Sequence, residues 1–144
     1  MYREGWGVGQ DNTEAANLYR KAAEQGYPLS QYNLGLMYLN GTGIEKNNFE
    51  ALNWFRKAAE QKMSQAQNNI GAMYERGLGV PKDIIRAYAW YFIASANGDQ
   101  NAKRNVNSIK DGLNQQELNK ANMLIKELNE TYGNKTDTLE QFVE

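Results

Sequence analysis

The segment Arg20-Lys21-Ala22-Ala23-Glu24-Gln25 recurs letter for letter at Arg56 to Gln61, 36 residues on. The same step carries Gly5-Trp6-Gly7-Val8 onto Gly41-Thr42-Gly43-Ile44 and then onto Gly77-Leu78-Gly79-Val80. It also carries Ala15 onto Ala51 and Ala87, Leu18 onto Trp54 and Trp90, Tyr19 onto Phe55 and Tyr91, and Ala22 onto Ala58 and Ala94. Met37-Tyr38 returns as Met73-Tyr74, and Met1-Tyr2 falls in the same phase. One phase kept across so many residue types makes this an array of supersecondary units, each burying its neighbour's face.

Each unit reads as two helices. The second has apolar residues at 51, 54, 55, 58 and 59, the i, i+3, i+4 spacing of a buried helical stripe. Asp11, Asn47 and Asp83 stand as its N-caps, and Glu14 and Glu50 lie where a capping box needs them. Gly26 and Gly98 fall at its left-handed C′ position, where Lys62 replaces glycine at a small cost. The first helix carries Leu34, Met37 and Tyr38, then Ile70, Met73 and Tyr74, and ends at Gly41 or Gly77 in a G-x-G-[I/V] turn. The pattern predicts helices over 13–25, 29–40, 48–61, 65–76, 84–97, 100–110 and 115–131. Gly35, Gly71 and the alanine columns leave room for neighbouring backbones, and the Trp, Tyr and Phe columns fill the core between hairpins.

Periodicity fades toward the C-terminus, where Asn107 replaces Gly35 and Gly71, and Lys110 replaces Tyr38 and Tyr74. Asn114 with Glu117 opens a last helix whose Leu118, Ala121, Leu124, Ile125 and Leu128 form one stripe, suited to capping an array. The fold class expected is all-α: a right-handed superhelical solenoid of stacked helix-turn-helix repeats with a capping helix at 115–131. The array spans 1–131, opening mid-repeat at Met1 to Gly5, and 132–144 reads as a flexible polar tail.

Composition excludes much chemistry. The 144 residues include no His and no Cys, which removes imidazole and thiolate catalysis, zinc and haem ligation, and disulfides. Lys+Arg number 16 against 17 Asp+Glu, too balanced to neutralise a phosphate backbone, so no nucleic acid is expected as partner. No apolar run is long enough for a membrane span, and Met1 to Gly5 does not read as a signal peptide. No cofactor, metal or catalytic residue is expected. Gly5-x-Gly7-x-Gly9 follows a helix end rather than a strand, so it is not a nucleotide loop. Glu24 and Glu60 recur with the repeat and read as solvated face.

Ala66-Gln67-Asn68-Asn69-Ile70-Gly71-Ala72-Met73-Tyr74, followed by Gly77-Leu78-Gly79-Val80, closely resembles the unit of the Sel1-like repeat family, a relative of the tetratricopeptide repeat. Leu113-Asn114-Gln115-Gln116-Glu117-Leu118 is similar to the terminal helix that closes bacterial arrays of this kind. The resemblance implies a bacterial, non-catalytic adaptor or scaffold for protein–protein interaction, in the cytoplasm, the periplasm or outside the cell. A dedicated inhibitor, such as an immunity protein for one toxin, is an alternative, and a hydrolase of the β-lactamase type is disfavoured by the absence of Ser-x-x-Lys.

By the same resemblance the first helix of each unit lines a concave surface that binds a protein or extended peptide. Its inward positions are Tyr32, Asn33, Leu36 and Asn40; Asn68, Asn69, Ala72 and Arg76; and Arg104, Asn105 and Ser108. Asn33, Asn69 and Asn105 share one column, and an Asn amide can grip a peptide C=O and N–H together. The alternative is that these amides satisfy local groups. Arg76 and Arg104 could fork onto a carboxylate or stand solvated. Tyr32 and Trp6 have no aromatic counterpart in their columns, which marks them as possible partner contacts.

Overall fold

The computed structural model describes residues 6–133, with side chains from Asp11 onward. Among these residues there are seven helices: α1 (Trp6–Glu24), α2 (Pro28–Asn40), α3 (Asn48–Glu60), α4 (Ser64–Arg76), α5 (Ile84–Ala96), α6 (Gln100–Lys110) and α7 (Gln115–Tyr132). No strand occurs among them, and no helix is long and apolar enough to cross a membrane. The all-α repeat class read from the sequence is the class found. The chain divides into two compact units, Met1–Ala58 and Ala59–Glu144.

The repeated turns explain why the helices stop where they do. Gly41 and Gly77 adopt left-handed backbone at φ 68° and 71°, and donate their N–H groups to Met37 O and Met73 O. The next residues, Thr42 and Leu78, donate to the same two carbonyls, and Asn47 and Asp83 donate to Tyr38 O and Tyr74 O. The Met-Tyr pair thus supplies the acceptors that fold the chain back. Gly43 needs its glycine twice over: φ is +72°, and a Cβ there would sit 2.1 Å from Asn12 O.

The first unit departs from its own phase. α1 begins at Trp6, so the turn expected over Gly5 to Val8 is instead helical from Trp6 on, and Asp11 lies inside the helix rather than capping it. The other two turns fold by handing their donors to the carbonyls of a preceding helix, whereas here the backbone is already helical through Asn12. The residues before Trp6 lie outside the described range. The other expected box, Asn47 with Glu50, is half formed: Asn47 Oδ1 accepts from Glu50 N at 3.1 Å, but Asn47 N is committed to Tyr38 O at 2.9 Å. Asp83 caps α5, Asp99 caps α6, and Asn114 with Glu117 makes a complete box on α7.

Within the first unit, α1 turns Ala16 and Ala23 inward, and Leu34, Tyr38, Ala51, Leu52 and Phe55 complete the core. Gly35 admits the edge of the Phe55 ring, where a Cβ would lie 2.6 Å from Cε1. In the second unit α4, α6 and α7 all pack on α5. That helix is apolar nearly all round, burying Ala87, Tyr88, Ala89, Trp90, Tyr91, Ile93 and Ala94, as a central helix must. Gly71 admits Tyr91 as Gly35 admits Phe55. The glycine columns therefore make room for rings more than for backbones.

The end of α7 is tied into the second unit by three donors. Lys62 Nζ reaches Thr131 O at 2.6 Å, Gln67 Nε2 reaches Tyr132 O at 2.8 Å, and Asn97 Nδ2 reaches the same carbonyl at 3.0 Å. Gln67, fully buried, also donates to Ala59 O at 3.1 Å and accepts from Asn97 at 2.9 Å. The Tyr132 ring lies 4.5 Å from Trp90, centroid to centroid. Tyr132 thus belongs to the capping helix rather than to the tail; residues 134–144 lie outside the described range. Lys62 adopts φ 68°, the conformation glycine has at Gly26 and Gly98.

Candidate protein-binding face

In the first unit, α2 turns Gln31, Leu34, Gly35, Met37 and Tyr38 into the core. This leaves Tyr32, Asn33 and Leu36 half-buried and Asn40 exposed on the other side. Tyr32 is not a free-standing aromatic: its ring lies 5.8 Å from that of Phe55 at 47°. The Trp6 side chain lies outside the described residues.

In the second unit, α4 repeats the same division. Ala66, Gln67, Ile70, Gly71, Met73 and Tyr74 are buried, Asn68, Asn69 and Ala72 half-buried, and Arg76 exposed. On α6, Asn105 is half-buried and Arg104 and Ser108 are exposed. Asn105 Nδ2 donates to Asn68 Oδ1 at 3.0 Å, which brings two of the expected residues together across α4 and α6. Ser108 Oγ donates to Asn105 O at 2.9 Å, and the Arg104 guanidinium donates to Asn101 Oδ1.

The asparagine column is thus not uniform. Asn105 is engaged by a neighbouring helix, while Asn33 and Asn69 keep partial exposure without any such bond. Arg76, one turn past Ala72, is the exposed cation at the end of α4, where the helix dipole favours positive charge. Glu75 beside it accepts from the Tyr91 hydroxyl at 2.6 Å. Burial first, then this bond and the Glu75 charge, push the Tyr91 phenol well above its ordinary range, against a smaller opposing effect of Arg76. Burial also raises Tyr88. Neither phenol ionises near neutral pH. Glu24 and Glu60, read as solvated, are exposed.

The residues whose structural work was not foreseen are Gln31, Gln67 and Asn97. Gln31 Nε2 donates to Ala23 O at 3.2 Å, as Gln67 does to Ala59 O one repeat later. The signal is present in the sequence: Gln31 and Gln67 share a column, and so do Gln25, Gln61 and Asn97.

The Sel1 repeat family model matches residues 1–27, 28–63 and 64–99. The chain belongs to the Sel1 repeat family. Among solved structures, c5321, described as a protective antigen of uropathogenic Escherichia coli strains displaying an SLR fold, superposes with a TM-score of 0.83 at 35% identity. That match covers 92% of this chain and 28% of the E. coli chain. A Sel1 repeat protein from Oxalobacter formigenes matches with a TM-score of 0.64 at 42% identity, over 69% of this chain and 41% of that one. This Sel1 chain therefore spans well under half the length of either neighbour. No curated protein matches. Sel1 repeats are in general protein–protein interaction scaffolds, and both neighbours are bacterial.

Proposed function

We propose that this Sel1 chain is a non-catalytic adaptor that holds a segment of another protein against the polar side of its first-of-pair helices. In the second unit that surface is Asn68, Asn69, Ala72 and Arg76 on α4 with Arg104, Asn105 and Ser108 on α6. In the first unit, Tyr32, Asn33, Leu36 and Asn40 on α2 form the corresponding surface.

The observation that carries this reading is the condition of Asn69. It is half-buried on α4, beside an asparagine pair that joins two helices, with the exposed Arg76 guanidinium two turns along the same helix. A partly desolvated amide with one donor pair and one acceptor free matches a peptide unit, and an exposed guanidinium matches a carboxylate. The partner this chemistry fits is an extended segment carrying an acidic side chain.

The test compares native chain with Asn69→Ala/Arg76→Ala, each immobilised and exposed to lysate of the source organism, with bound proteins identified by mass spectrometry. A protein retained by the native chain and lost from the variant, at an unchanged melting temperature, supports the reading. Equal retention by both would place binding elsewhere.

A further inference from the structure

An open groove of about 340 Å³ runs between the start of α5 and the middle of α7. Both walls belong to the second unit, where these two helices pack directly on each other. On the α5 wall the charges are spent. Asp83 Oδ1 accepts from Arg86 N at 3.0 Å, and Asp83 Oδ2 pairs with Arg86 Nε at 3.3 Å. On the α7 wall they are not: Lys120 and Glu127 are exposed, and neither side chain has an ion pair or hydrogen bond among the described residues. They cannot satisfy each other, because seven residues set them two turns, about 10.5 Å, apart along one side of the helix. Between them stands Met123, 68% exposed; no large apolar side chain among the described residues is more so. Half-buried Leu124 and Ile85 line the groove beside it.

An occupant must bring an anion to Lys120 and a cation to Glu127, two turns apart, with an apolar group between them. α7 carries that set itself, in the required order once the helix is turned end for end. The midpoint of Lys120 and Glu127 falls between Met123 and Leu124. A two-fold axis at that point sets Lys120 of each copy against Glu127 of the other and brings the two Met123 side chains to the centre. Every attraction is then made twice, as a self-complementary interface requires. One turn farther out, Gln116 faces Thr131, and neither brings a charge. Parallel helices would instead set Lys120 on Lys120. Methionine suits the central place, since its unbranched thioether adapts to an irregular apolar gap.

We propose that α7 pairs antiparallel with α7 of a second copy of this chain, each Met123 entering the groove that Ile85 and Leu124 line in the other. The occupant is a second copy because the charge pattern is complementary to itself. This interface lies on second-of-pair helices and is distinct from the polar side of α4 and α6.

The test is sedimentation of the full chain from micromolar to millimolar concentration, where a reversible monomer–dimer equilibrium is expected. Lys120→Glu and Glu127→Lys should each weaken the dimer by about tenfold or more, since two attractions become two like-charge contacts. Both side chains are exposed, so the variants keep the fold. Mixed in equal amounts, the two variants should form a heterodimer of near-native affinity, because one stripe then carries two anions and the other two cations. Asn69→Ala should leave the equilibrium unchanged, which separates this interface from the partner surface proposed above. A monomer at every concentration would overturn the proposal, whatever else fills the groove. So would a dimer indifferent to both charge reversals, or a mixture of the two variants that fails to recover association.

Discussion

Tyr91 donates its phenolic hydrogen to Glu75 Oε1 at 2.6 Å, fastening the ring of α5 to the helix whose glycine it covers. Phe55 covers Gly35 in the same register without a hydroxyl, so the array shows that phenylalanine fits this place. Tyr91→Phe should therefore keep the packing and lose only the bond. A hydrogen bond to a charged acceptor is worth about 1.5–3 kcal/mol, and the lower end is expected here because Glu75 retains access to water. Urea unfolding at neutral pH measures it.

The same tyrosine sets an alkaline limit. Burial raises its phenol and that of Tyr88 above the ordinary phenol value of about 10 in the fold, while in the unfolded chain they titrate near that value. Above it the unfolded state has released protons that the native state still holds, so stability is complete below that pH and falls as pH rises further. Unfolding midpoints taken at pH 8 and at pH 11 should show a smaller drop in Tyr91→Phe than in the native chain.

Filling the notches should cost stability even though alanine is the better helix former by about 1 kcal/mol. Both added methyls would meet a ring at 2.6 Å, and overpacking typically costs about 1–3 kcal/mol. The two sites should differ. Near Gly71 the ring is held by Glu75, and Ala87 O stands 3.2 Å from the new Cβ; near Gly35 the three nearest atoms all belong to the Phe55 ring. Gly71→Ala should accordingly destabilise more than Gly35→Ala, read as the difference in melting temperature. Equal shifts would mean that the Tyr91 ring yields as freely as Phe55.

Lys62 combines a strained backbone with a useful side chain. A non-glycine residue at φ 68° costs on the order of 1 kcal/mol, and the ammonium caps Thr131 O at the end of α7. Lys62→Ala keeps the strain and loses the cap; Lys62→Gly loses both. The glycine variant should be more stable than the alanine variant by about 0.5–1 kcal/mol in chemical denaturation. The reverse order would mean that the turn relaxes without glycine.

The turns after α2 and α4 and the helix opened by Asn114 were legible because their causes are local: an apolar stripe, a glycine at positive φ, an asparagine beside a backbone donor; the turn expected over Gly5 to Val8 was not, since α1 is helical there. What depends on a neighbour was not. Columns equate Leu18 with Trp54 and Trp90, yet exposure follows from what lies alongside. Trp90 is 3% exposed and Leu18 67%, and Trp54 is half-buried with Lys57 Nζ 5.4 Å from its ring. Trp54→Ala should then cost less than the roughly 3–5 kcal/mol of a fully buried aromatic, whereas Phe55→Ala should reach that range. Comparable losses would show that the Trp54 ring is as well packed as Phe55.

The asparagines illustrate the same limit and allow a sharper test. Asn69 and Asn105 share a column, but the bond is between Asn105 and Asn68, because contact follows the facing of α4 and α6 rather than the period. Residues joined by a hydrogen bond show coupled mutational effects, and unjoined ones add. The double-mutant cycle of Asn68→Ala with Asn105→Ala should give a coupling of about 0.5–1 kcal/mol in unfolding free energy. The cycle of Asn69→Ala with Asn105→Ala should close to within roughly 0.3 kcal/mol. A partner protein bound as proposed would reverse the emphasis. Its affinity should respond most to Asn69, whose amide is not taken up by the fold, and a response confined to Asn68 and Asn105 would make the column structural.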